Sequence, residues 1–261
     1  MPIISAYCKK GGVGKTTFLG YLAHYYANLG NNVLVLSADD QNSIFKIFGK
    51  ENLVTDHDDD FFEYFLLGRK TAQEVSFEVR PGMYLMKTLN TDALSVNLIV
   101  KRPEETRLKR CIDELNTYFD YIFIDFPPSS SRLTEILLDI SDTILLVVGL
   151  DALGIDGYKN TIQYFIDSDI EISKIKYIIP VKYHPVKIAP NQCLKELKKM
   201  RESYTPNAII ATPIKEKSVI QNLQAEGISV FDEHTMKDRF HTKNRDEIKK
   251  DLLEVYKSIN L

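Results

Sequence analysis

The chain has 261 residues, 44% hydrophobic and 26% charged, with a net charge of −3, which are ordinary globular values and long enough to bury a core of its own. No apolar run approaches a membrane span, and the N-terminus enters strand and loop directly rather than through a signal peptide. Cys8, Cys111 and Cys193 lie far apart without C-x-x-C spacing, which excludes a disulfide frame or a cysteine metal site and predicts reduced thiols in a cytosolic protein.

The first seventeen residues organise the rest. Ile3 to Cys8 is a short apolar run, and Lys9-Lys10-Gly11-Gly12-Val13-Gly14-Lys15-Thr16-Thr17 follows it. Phe18-Leu19, Leu22-Ala23, Tyr26-Ala27 and Leu29 then recur at helical spacing until Gly30. Strand, glycine-rich loop and helix form the context a phosphate-binding loop requires. Gly11, Gly12 and Gly14 let the backbone turn its N–H groups toward a polyphosphate, and the helix N-terminus adds its dipole. Lys15 reaches the β- and γ-phosphates, and the Thr16 hydroxyl suits a Mg²⁺ ligand position. Lys9 reads as a solvated loop charge.

Asn32 to Leu36 predicts a buried strand that ends in Ser37-Ala38-Asp39-Asp40-Gln41, carboxylates at the tip where open α/β sheets bind ligands. Asp56, Asp58, Asp59 and Asp60, with His57, lack calcium-loop spacing and read as a solvated helix start before Phe61-Phe62 and Phe65-Leu66. Pro81-Gly82 turns into a strand, Met83 to Met86; Pro103 opens a helix with Leu108, Ile112 and Leu115 inward. Tyr121 to Asp125, four apolar residues ending in a carboxylate, is a Walker B pattern, so Asp125 can hold Mg²⁺ opposite Thr16. Thr143 to Leu150, Lys176 to Val181 and Ala208 to Ile210 read as further strands, with a helix around Tyr158 to Ile166. Strands alternating with helices predict a three-layer α/β fold, a mostly parallel twisted sheet with helices on both faces, in one domain over 1–261.

Charge is uneven along the chain. From Leu36 to Arg80 there are five basic and ten acidic residues; from Lys182 to Lys250 there are fourteen and nine. Lys182, Lys187, Lys215, Lys217, Lys237, Arg239, Lys243 and Arg245 could form a sequence-independent, phosphate-contacting surface. At the C-terminus, Ile248, Leu252, Val255, Tyr256 and Ile259 share one helical face, which Asp246, Glu247, Asp251 and Glu254 make a poor match for an anionic membrane. A helix packed back on the domain is the expectation.

Lys10 to Thr16 resembles the deviant Walker A motif, K-G-G-x-x-G-K-[ST], of the ParA/MinD family of P-loop ATPases. Asp39 and Gln41 match part of that family's D-x-D-P-Q tip, where Ser37 replaces the first Asp and Asp40 replaces Pro. Phe126-Pro127-Pro128 after Asp125 is close to the D-x-P-P of ParA proteins, and Glu226 to Val230 looks like the A-x-x-G-x-x-V segment. The resemblance implies ATP and Mg²⁺ as cofactors and slow hydrolysis. It implies a homodimer with ATP sandwiched, in which Lys10 touches the partner's phosphates and Asp39 orients the attacking water. It places adenine near the ends of the last two strands, where Pro213 is the candidate contact and Pro180 stands where relatives carry Asn. It also implies non-specific DNA binding in the ATP state through the basic half, a ParB-like centromere-binding or adaptor partner, and a cytoplasmic, nucleoid-associated location. A MinD-like, membrane-cycling ATPase is the alternative.

Overall fold

In the computed structural model, residues 2–55, 59–100, 102–233, 239–259 and 261 are described, without the side chains of 100, 102–105 and 239–241. The strands are β1 (Ile3–Tyr7), β2 (Val33–Ser37), β3 (Phe77–Arg80), β4 (Met83–Met86), β5 (Tyr121–Asp125), β6 (Thr143–Gly149), β7 (Ile175–Val181) and β8 (Ile209–Ile210). The helices are α1 (Lys15–Asn28), α2 (Ser43–Ile47), α3 (Phe62–Leu66), α4 (Thr91–Val100), α5 (Arg102–Leu115), α6 (Arg132–Asp139), α7 (Ala152–Asp167), α8 (Ile188–Tyr204), α9 (Val219–Ala225) and α10 (Arg239–Ser258).

The strands form one sheet in the order β3-β4-β2-β5-β1-β6-β7-β8, parallel except for β3 against β4. Every residue of β1 and β2 is buried, because helices cover both faces and leave no solvent side for alternation to mark. Three strands end together: Ala6 of β1 and Ser37 of β2 both pair in register with Asp125 at the tip of β5. The order reverses about β1, so the loop leaving β1 sits at the crevice where such sheets take ligands.

The structure places elements that the sequence reading did not, β3 and α4 among them. The strand β3 precedes the Pro81-Gly82 turn, so Met83 to Met86 is the second arm of a hairpin, with Gly82 at φ 73°. The helix α4 buries Leu94 and Leu98 while Val96 and Ile99 stand exposed, so it shows no single apolar stripe to read. The C-terminal helix packs back as expected: Ile248, Leu252, Val255, Tyr256 and Ile259 are buried, and the Tyr256 hydroxyl donates to the Phe18 carbonyl of α1 at 3.0 Å. Among the described residues no helix is long and apolar enough to cross a membrane.

The acidic segment departs from its reading as a purely solvated helix start. Residues 56–58 lie outside the described residues. Asp60, however, pairs at 2.7 Å with Lys87, a lysine with 0% side-chain exposure whose ammonium also faces the rings of Phe61 and Phe77. A buried ammonium needs such a counter-charge, so Asp60 helps to hold the core.

Candidate nucleotide site

Between β1 and α1 the chain turns at Gly12 (φ 69°) and Gly14 (φ 90°), left-handed angles that glycine adopts without strain. A Cβ at either position would meet nothing within 4 Å, so glycine is required there by conformation rather than by crowding. Gly11 differs from the sequence reading: its φ is not positive, and a Cβ would make only an ordinary 3.8 Å contact with Pro128. Val13 is buried, at 3% exposure. Lys9 also departs from expectation, since its ammonium lies 4.8 Å over the Tyr164 ring.

Lys15 is only 6% exposed, and its ammonium donates to the Lys10 carbonyl at 3.1 Å. Burial lowers its pKa, while Cys8, Asp125 and Asp39 nearby favour the charged form. Asp125 is 1% exposed, and burial pushes its carboxyl up to about 7 against the lowering effect of a hydrogen bond with Thr16 and the charge of Lys15. Its Oδ1 atom is buried without a hydrogen-bond partner. A buried carboxylate oxygen left over beside a threonine hydroxyl is the donor set a hard cation takes. Thr16 and Asp125 therefore fit Mg²⁺, which would neutralise phosphate charge when bound with nucleotide.

Asp39 sits one strand over, half-buried, its pKa raised by burial and held down in part by the Gln41 N–H, which donates to Oδ1 at 3.0 Å. Its loop is fixed from both sides. The Ser37 hydroxyl donates to the Asp39 carbonyl at 2.9 Å, so the residue that replaces an acid here serves the turn. Buried Asn42, at φ 45°, donates to the carbonyls of Asp40 and Thr88 and accepts from the Thr88 N–H. Lys15, Asp39 and Asp125 are close enough for each to shift the ionisation of the others.

Two cavities flank the loop. One, of about 200 Å³, is walled by Val13, Phe18, Val181, Ile214, Ile220 and Leu252, at the ends of β7 and β8. Pro180 and Pro213 are each one residue behind its lining, and Val181 and Ile214 occupy those positions instead. The other, of about 460 Å³, is more polar and adds Ser43 and Lys46 of α2 and Gln221 and Gln224 of α9 to the loop. The Gln224 amide donates to the Thr17 hydroxyl at 2.6 Å. No motif points to Lys46, Gln221 or Gln224; they reach the loop only because α2 and α9 pack together. Gly227 enforces that packing, with a Cβ there falling 2.4 Å from the Gly49 Cα. Arg80 closes the same joint, donating to the Phe48 and Gly227 carbonyls and to both oxygens of Asp232.

The basic residues of the C-terminal half do not form one free surface. Lys215 pairs with Asp251 at 3.1 Å and Lys217 with Glu247 at 2.7 Å, both acids on α10. Arg245 is mostly buried beside Asp246. Lys187 and Lys243 are exposed, and Lys182, at φ 58°, is half-buried beside the smaller cavity. Lys237 and the side chain of Arg239 lie outside the described residues.

Fold and loop together define a P-loop nucleoside triphosphatase. Residues 1–176 match the family described as an AAA domain (AAA_31). An uncharacterised protein of Methanocaldococcus jannaschii is 27% identical over 241 residues, covering 88% of this chain and 91% of that protein. The sporulation initiation inhibitor protein Soj of Bacillus subtilis is 29% identical over 184 residues, covering 66% of this chain and 70% of Soj. The structure of apo McdA from Cyanothece shares the fold over 100% of both chains, with a TM-score of 0.80 at 17% identity. The chain belongs to the ParA/MinD family of P-loop ATPases, close to its ParA-type members. As a member of that family it is an ATP hydrolase.

Proposed function

We propose that this chain is a ParA-type ATPase, one P-loop domain over 1–261, that dimerises around ATP, binds DNA without sequence preference in that state, and partitions DNA or positions cargo. The observation that carries it is Lys10. Its side chain is half-buried at the rim of the phosphate loop and has no ion pair or hydrogen bond among the described residues, whereas Lys15 already occupies the interior. A second lysine at the rim is free to reach phosphates held by another subunit. Gly11 to Thr17 would cradle the phosphates, and Lys15 and Lys10 would stabilise charge on the transferring phosphoryl group. Asp39, at the tip of β2 with a pKa raised by burial, would orient the attacking water. The apolar cavity at Val181 and Ile214 suits the base. A ParB-like partner would stimulate turnover.

DNA contact in this reading falls to Lys182, Lys187 and Lys243, because Lys215 and Lys217 are tied to α10. A dimer doubles the phosphates neutralised, and affinity falls steeply with salt in proportion to that number. The membrane-cycling alternative gains no support from α10, whose apolar face is spent on the chain's own core. Gel filtration and DNA retardation with ATP, ADP and no nucleotide test the proposal. DNA binding and a dimer should appear with ATP alone and vanish in Lys10→Ala. Equal DNA affinity with ADP and ATP would refute it.

A further inference from the structure

The loop bearing Lys10 rests on one face of α7, which no motif connects with nucleotide chemistry. Gly157 leaves room for it: a Cβ there would fall 2.8 Å from the Lys10 Cβ, 3.1 Å from the Cys8 Sγ and 3.5 Å from the Lys10 Cγ. One turn on, the Thr161 hydroxyl accepts the Lys9 N–H at 2.9 Å. A further turn on, the Tyr164 ring lies under the Lys9 ammonium. Positions 157, 161 and 164 share a helical face, so α7 touches the Lys9–Lys10 segment over two turns.

The height of α7 is itself fixed. Asp151 caps it, accepting the Gly154 N–H at 2.7 Å, and a Cβ at Gly154 would fall 2.0 Å from the Gly149 carbonyl oxygen. Two glycines inside a sixteen-residue helix weaken it intrinsically. Both are accounted for by close approach, one to the end of β6 and one to the stem of Lys10.

We propose that Gly157 and Thr161 are positioning residues for Lys10: α7 seats the first carbons of the Lys10 side chain and the backbone before it, and so sets the direction in which the ammonium leaves the loop. A lysine stem is otherwise free to rotate, and fixing its base before binding lowers the ordering cost of any contact it makes. The inference rests on the reading of Lys10 as the residue that reaches the partner's phosphates. Lys15 meets this segment at the Lys10 carbonyl, to which its ammonium donates at 3.1 Å, and not at the Lys10 side chain, so ATP binding by one subunit should depend on the α7 contact less than dimerisation does.

The test compares Gly157→Ala, Thr161→Val and Lys10→Ala, singly and in pairs, by ATP titration calorimetry, light scattering with ATP, and turnover. Each α7 variant should lose ATP-dependent dimerisation and turnover by about tenfold or more, a larger loss than any in ATP affinity, and should add nothing in the Lys10→Ala background. Wild-type dimerisation and turnover in both α7 variants, with Lys10→Ala impaired, would overturn this inference alone. Losses that add fully to those of Lys10→Ala would overturn it too. An unimpaired Lys10→Ala would overturn the functional reading as well. If Gly157→Ala does not fold, Thr161→Val, which adds no bulk, decides the matter.

Discussion

The charges around the phosphate loop and those of the last sixty residues contrast sharply. At the loop, Lys15 and Asp125 are nearly inaccessible, Asp39 is half-buried, and an Asp125 oxygen has no partner. Near the C-terminus, Lys215, Lys217 and Asp232 each meet an opposite charge on another element. Burial without complete satisfaction costs stability and is kept where a ligand completes it; charges already paired are spent on the fold. A count of charge along the sequence treats the two regions alike, and partners tell them apart.

The largest expected effect falls on the loop. Lys15→Ala should abolish tight ATP binding in a calorimetric titration, because a buried charge-assisted contact to the terminal phosphates is lost. Asp39→Ala should retain ATP and Mg²⁺ but lower turnover by about 10²-fold or more, as removal of a positioned water-orienting group does. A variant that hydrolyses ATP at the wild-type rate would remove Asp39 from that role.

Next come the structural ties. Gly227→Ala places a side chain at φ 66° and 2.4 Å from the Gly49 Cα, and should destabilise the fold by about 3 kcal/mol or more in urea unfolding. Asp232→Ala, which strands Arg80 and frees the Ser229 N–H, should cost a similar ~3 kcal/mol. Either result below ~1 kcal/mol would mean that the joint between α2 and α9 is held elsewhere.

Asp125→Asn should move the other way. A carboxyl raised to about 7 in the fold and near 3.8 when unfolded binds more protons in the native state between those values. Stability of the nucleotide-free protein therefore falls as pH rises from about 4 to about 7. The amide variant should be more stable at pH 8, by of the order of 4 kcal/mol, with that pH dependence flattened and Mg²⁺ affinity reduced. His24 has the opposite sign: buried, with a pKa lowered to about 4, it weakens the fold as pH drops below its ordinary 6.5 toward 4. Thermal melts of the unaltered protein and of Asp125→Asn across pH 4–8 separate the two contributions.

The smallest effect sharpens the contrast. Lys215→Ala should change stability by no more than ~1 kcal/mol, since the Lys215 side chain of this pair is 43% exposed, and should leave DNA retardation unchanged. The double variant Lys187→Ala, Lys243→Ala should weaken DNA binding and lower its salt slope. The reverse pattern would return the DNA surface to Lys215.

The sequence alone determined the phosphate loop, because Gly12, Gly14, Lys15 and Thr16 act through adjacent backbone and helix-terminal geometry that fixed spacing dictates. It determined β1, β2, β5 and β6 for a similar reason, since strands covered on both faces read as unbroken apolar runs, and it determined the inward face of α10. The tertiary structure decided what depends on residues distant in the chain. It alone showed that Asp60 serves Lys87, that Gly227 crosses Gly49, that Lys215 and Lys217 are already paired, and that Gly157 lies against Lys10. Those properties arise from where helices pack on the sheet, and a residue's own neighbours in sequence carry no record of which distant atom will stand three ångströms away.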